Sequence, residues 1–136
     1  MKSEKNIIFK ATTAFALVTF FAAATVIAQQ AGVRRTALQR HDLSMQGHEV
    51  VQVRIDFSPG TAFGKHSHPG EEIIYVLKGL IEYKVEGKPP VTLKAGAVLF
   101  IPARTIHSAR NAASGNASEL ATYVVEKGKP LISIVK

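Results

Sequence analysis

From Glu49 onward the chain alternates apolar and polar positions. Val51, Val53, Ile55 and Phe57 alternate with Gln52, Arg54 and Asp56, the period of a strand with one buried face. Ser58-Pro59-Gly60 ends that run as a turn. Ile73 to Leu77 is β-branched and apolar, Lys78-Gly79 closes it, and Leu80 to Val85 alternates again. After the break at Gly87-Lys88-Pro89-Pro90 come short apolar runs at Val91-Thr92-Leu93, Ala97 to Ile101, Leu120 to Val125 and Leu131 to Val135. Turn signals thus recur about every 8–12 residues with no helical period between them, which predicts an all-β sandwich or barrel.

The stretch before Glu49 reads differently. Lys2, Lys5 and Lys10 precede an uncharged run from Ala11 to Ala28, which ends in Val26-Ile27-Ala28 before polar Gln29-Gln30. Basic, apolar, small and then polar is the layout of a secretory signal peptide over residues 1–28. The rival reading is a membrane anchor, but Ala and Thr dilute the run, so it would sit weakly in lipid. The expectation is therefore export to the periplasm or beyond, with no stable membrane span after cleavage. Residues 29–48 mix Arg, Gln, His and Gly without periodicity and read as an arm leading into a domain over 49–136.

Composition narrows the picture further. The 136 residues allow one domain, and 46% of them are hydrophobic, enough for a real core. No cysteine is present, so the fold stands without disulfides and uses no thiolate chemistry. The net charge of +7 falls to +5 without Lys2, Lys5, Lys10 and Glu4. The remaining basic residues are scattered, and three Tyr and no Trp offer little for base stacking. A solvated basic surface follows, and no nucleic-acid partner is expected.

The chemistry concentrates in histidines. His66 and His68 are one residue apart, so on an extended strand both imidazoles face one way. Glu71 and Glu72 follow across the short Pro69-Gly70 turn, and either carboxylate could reach the same patch. His107 lies after the Pro102 break and could arrive from a neighbouring strand. Imidazole nitrogens with one carboxylate suit a divalent transition metal: Mn, Fe, Ni, Zn or Cu. His41 and His48 read as surface residues, and Asn116-Ala117-Ser118 as a solvated loop that happens to match a glycosylation acceptor. Gln52, Arg54 and Asp56 share one strand face, which fronts either solvent or the pocket.

The spacing Gly60-x5-His66-x-His68-x3-Glu72-x6-Gly79 resembles the first motif of the cupins. Gly96-x5-Pro102-x-Arg104-x2-His107-x3-Asn111 resembles the second, except that Arg104 stands where that family usually has glycine. The resemblance implies a double-stranded β-helix (jelly-roll) barrel and a metal held inside it by His66, His68, Glu72 and His107. It selects Glu72 over Glu71. It also implies that each imidazole gives its second N–H to a partner, with Asn111 a candidate to shape that environment. A backbone suited to glycine would cost Arg104 on the order of 1 kcal/mol, unless its guanidinium serves an anionic ligand at the barrel mouth. The implied function is a metal-dependent enzyme, of oxygenase or lyase type, acting on a small organic molecule. The alternative is a non-catalytic pocket for a small molecule or metal. A homodimer is expected, with the arm before Glu49 lying across the partner.

Overall fold

The computed structural model describes residues 30–136. The expected signal peptide, residues 1–28, lies outside the described residues. Among the described residues there is no helix, and ten strands form two antiparallel five-stranded sheets. The first sheet contains β1 (Val33–Asp42), β2 (His48–Phe57), β9 (Ala117–Glu126), β4 (Glu71–Lys78) and β7 (Val98–Ile101), in that order. The second contains β10 (Ser133–Ile134), β3 (Ala62–Ser67), β8 (His107–Asn111), β5 (Leu80–Val85) and β6 (Val91–Lys94), again in spatial order. This is the expected all-β jelly roll.

Period-two patterning sets the inside of the barrel. Val51, Val53, Ile55 and Phe57 of β2 are buried, as are Ile81, Tyr83 and Val85 of β5. On β9, Ala121, Tyr123 and Val125 point inward beside them. Burying each large apolar side chain contributes roughly 1.5–3 kcal/mol, which favours this register over a one-residue slip. Between β4 and β5 the chain reverses at Gly79, with φ at 76°, and a Cβ there would sit 2.9 Å from that of Ala117. Only glycine meets both demands.

Two expectations need correction. Residues 33–42 of the expected arm are strand β1, paired along its length with β2 of the same chain, so the sheet begins at Val33 rather than at Glu49. As an edge strand it leaves most of its residues exposed on both faces, and no alternation marks it. The expected strand Leu131 to Val135 shortens to Ser133–Ile134, which pairs with Ser67 and His66.

Asn111 is 1% exposed and ties the end of β8 to its surroundings. Its Nδ2 donates toward the carbonyls of Phe57, Ser58 and Gly115, and its Oδ1 accepts from the Ala113 N–H. It therefore braces loops and does not touch the histidines, contrary to the sequence expectation.

Candidate metal centre

Four side chains meet inside the barrel. His66 comes from β3, His68 from the turn just after it, Glu72 from β4 and His107 from the first position of β8. All four are buried, with exposures of 2–5%. The pairing of His66 with His107 across β3 and β8 sets their rings 4.2 Å apart. Glu72 enters from the other sheet, because the Pro69-Gly70 turn crosses between the sheets. Its neighbour Glu71 is only half-buried, consistent with strand alternation.

The hydrogen bonds fix which nitrogens face inward. His66 Nδ1 lies 2.7 Å from the Gly64 carbonyl, His68 Nδ1 2.7 Å from that of Leu131, and His107 Nδ1 2.9 Å from that of Thr105. A carbonyl only accepts, so each ring donates from Nδ1, and a neutral ring then keeps its lone pair on Nε2. Burial, followed by the facing His107, pushes the His66 imidazole down to about 3, which keeps that ring neutral. Burial alone would raise the Glu72 carboxyl, and positive charge at the facing His107 and His68 nitrogens would lower it well below the usual carboxylate range; a cation bound among them would act in the same direction.

His107 Nε2 lies 3.0 Å and His68 Nε2 3.3 Å from Glu72 Oε2. All three atoms are buried without a hydrogen-bond donor between them. Lone pairs facing a carboxylate oxygen in a dry interior are costly unless a cation sits among them. The ligand atoms of His66, His68 and His107 lie within 4.8 Å of one another, a group that could hold a metal ion. Donors bonded to a common ion at about 2.1 Å stand roughly 3–4 Å apart, so these residues fit a metal.

Beside the histidines lies a cavity of about 10 Å³, room for roughly one water molecule. Its wall includes Arg35, Phe63, Tyr83 and Glu119. Glu119, on the inward face of β9, is hydrogen-bonded by the Tyr83 hydroxyl. Burial, then the charge of Glu72, pushes the Glu119 carboxyl up to about 8, so it holds its proton at neutral pH. Burial also keeps the Tyr83 and Tyr123 hydroxyls protonated well beyond the ordinary tyrosine range.

Sequence reasoning missed this second polar group. Glu119 was readable in principle, since a carboxylate in phase with Ala121, Tyr123 and Val125 faces the interior. Gln52, Arg54 and Asp56 face outward instead. Gln52 bonds Gln39 and Thr122, while Asp56 pairs with Arg34 and Arg54. Arg104 is exposed in a groove with Ser67, Pro69 and Lys129, outside the cavity wall. His41 and Asn116 are exposed, and His48 is half-exposed.

A small β-barrel with a buried three-histidine group defines the class of protein. Residues 53–128 match the Cupin domain family, and the chain belongs to it. Over 51 residues it is 39% identical to the dimethylsulfoniopropionate lyase DddQ of Ruegeria pomeroyi, covering 38% of this chain and 25% of that one. It is 34% identical to Germin-like protein 1-1 of Oryza sativa subsp. japonica over 82 residues, covering 54% of this chain and 37% of the relative. The chain thus spans well under half the length of these curated relatives. Its fold is similar to that of an uncharacterized double-stranded β-helix protein of Klebsiella pneumoniae, at 18% identity and a TM-score of 0.64, covering 79% of this chain and 88% of that one.

Proposed function

We propose that His66, His68, Glu72 and His107 together hold one divalent transition metal, and that this cupin is a metal-dependent enzyme acting on a small organic molecule. The observation that carries the reading is the convergence of inward Nε2 atoms on an undonated Glu72 oxygen. The identity of the ion among Mn, Fe, Ni, Zn and Cu is left open by imidazole and carboxylate donors. When bound, such an ion supplies a Lewis acid that polarises an oxygen of the ligand.

The chain's own residues favour catalysis over passive binding. A working site needs a polar group beyond the metal ligands, and Glu119 with Tyr83 is one. A buried carboxyl hydrogen-bonded by a tyrosine hydroxyl, in the wall of the cavity beside the candidate ligands, is placed to give or take a proton. This supports lyase chemistry, in which a proton leaves carbon, and so does the likeness to a lyase over 51 residues. Oxygenase chemistry is the second reading, and a non-catalytic binding module the alternative.

Elemental analysis is the first test. Wild type should carry about one transition-metal ion per chain, and the His66→Ala, His68→Ala double variant almost none. Full occupancy in the double variant would overturn the site. Metal-loaded protein is then screened against catechols, flavonols, sugars and cyanohydrins, with oxygen uptake monitored. Turnover without oxygen uptake marks the lyase, and turnover with uptake the oxygenase. Binding without turnover marks the module.

Two further readings belong to this proposal. Export predicts that mature protein begins at or near Gln29, against which an intact Met1 on soluble protein would count. A homodimer is supported by the outer face of β4 and β7, where Ile73, Tyr75, Leu77, Val98 and Phe100 stand exposed. Light scattering that reports only monomer at micromolar concentration would contradict it.

A further inference from the structure

Arg35 occupies an unusual position in the cavity wall. Among the residues that line the space beside His66, Glu72 and His107, it alone is not buried. Its side chain therefore stands between this cavity and solvent. β1 places it there: Val33 is buried in the core, and Arg35 pairs with Ile55 of β2. The exposed Arg34 next to it points outward and pairs with Asp56.

The guanidinium is held but not neutralised. One Nη donates to the Tyr123 hydroxyl at 3.3 Å, and the group lies 5.8 Å from the ring centres of both Phe63 and Tyr123. Those contacts orient a planar cation between two aromatic faces. Among the described residues no carboxylate lies within 4.0 Å of it, whereas Arg34, Arg40, Arg54 and Arg110 each have one. A half-buried guanidinium keeps most of its donors unfilled in that arrangement, and its flat fork matches a carboxylate bidentately.

We propose that Arg35 is the specificity-determining residue of the cavity, anchoring the carboxylate of a small organic acid whose other end reaches the metal site. The reach of the ligand's other end rests on the proposed metal site, and the carboxylate anchor does not. Geometry sets the direction in which the ligand lies. The Arg35 guanidinium stands at the exposed end of the cavity and the candidate metal ligands at its buried end, so a carboxylate held by Arg35 points the rest of the ligand inward. The space present is about 10 Å³, so entry requires the Arg35 side chain to swing on its exposed side.

The test uses two probes of equal shape and different charge, propionate and propionamide. Binding to zinc-loaded protein is followed by NMR titration, with zinc content and imidazole binding measured on the same samples. Wild type should prefer propionate by about tenfold or more. Arg35→Met should erase that preference while zinc content and imidazole binding stay unchanged, and Arg35→Lys should restore part of it. A preference kept in Arg35→Met would overturn the proposal, since the anion would then be held elsewhere. Equal loss of propionate and imidazole binding in both variants would overturn it too, because Arg35 would be only a strut. Tighter binding of inorganic phosphate than of propionate would overturn the carboxylate assignment. Wild type that retains no zinc would sink the metal reading alone. The same titrations on metal-free protein would then decide for Arg35 if the variant loses propionate, and against it if not.

Discussion

The backbone N–H of Arg104 donates to the carbonyl of His68 across 2.9 Å. This bond joins the turn that leads into His107 to the segment carrying another candidate ligand, and so sets their spacing. To make it, Arg104 adopts φ of 61°, the one non-glycine residue with positive φ among those described. A side chain in that region costs roughly 1–2 kcal/mol. Its guanidinium is exposed and lies outside the cavity, so it brings no visible gain there.

Arg104→Gly should therefore stabilise the protein. The gain is on the order of 1 kcal/mol, or roughly 4–8 °C in Tm for a domain of this size, offset in part by the greater freedom of glycine when unfolded. Metal content should not change. Thermal unfolding of the two proteins checks this, and a lower Tm in the variant would show that the guanidinium stabilises the fold.

Gly70 sits in the turn that carries the chain from His68 to Glu72. A Cβ added there would lie 2.0 Å from the Val124 carbonyl oxygen and 2.8 Å from the Val125 Cα. Both obstacles are backbone of β9, which cannot move aside cheaply. Gly70→Ala should destabilise by a few kcal/mol, in the range of about 1–3 seen for overpacked sites. It should also lower metal affinity, because relief of the clash displaces Glu72. Denaturant unfolding and a metal titration read the two effects, and wild-type values in both would refute the packing argument.

The raised carboxyl of Glu119 carries a signed pH dependence. Its ordinary value is 4.5, and in the fold it is pushed up to about 8 by burial and by Glu72, against the pull of Tyr83 and Arg35. Below 4.5 the proton is bound in both folded and unfolded chains. Between the two values the unfolded chain releases it and the folded one does not, so stability from this group falls as pH rises. In metal-free protein, Glu119→Gln should gain on wild type between pH 4.5 and 8, by a few kcal/mol at most. A difference in Tm that stays constant over that window would contradict the assignment.

Much of this architecture is legible in the sequence where one face of a strand is apolar. β2 shows it plainly, since Val51, Val53, Ile55 and Phe57 are buried and their alternates are not. The histidine spacing brings His66, His68 and His107 together as expected, and Glu72 beside them. β1 escaped notice because its residues have solvent on both faces and need no period. Arg35 was lost with it, since its place at the cavity depends on a long-range pairing with β2. Glu119 and Tyr83 lie 36 residues apart, and no local pattern shows that two inward polar groups will meet. The strained turn at Arg104 was readable, because an arginine stands where that motif calls for a glycine.

The central claim is that three imidazoles and the Glu72 carboxylate share one ion. X-ray absorption spectroscopy of the zinc-loaded protein tests it most directly, because scattering through the rings counts imidazole ligands. Wild type should show three imidazoles with Zn–N near 2.0–2.1 Å, roughly the usual distance, and His107→Ala should show two. Glu72→Gln should keep three imidazoles but bind zinc more weakly, by more than the roughly 10–100-fold typical of residues that only support a ligand. Fewer than three imidazoles in wild type, or a count unchanged by His107→Ala, would contradict the account.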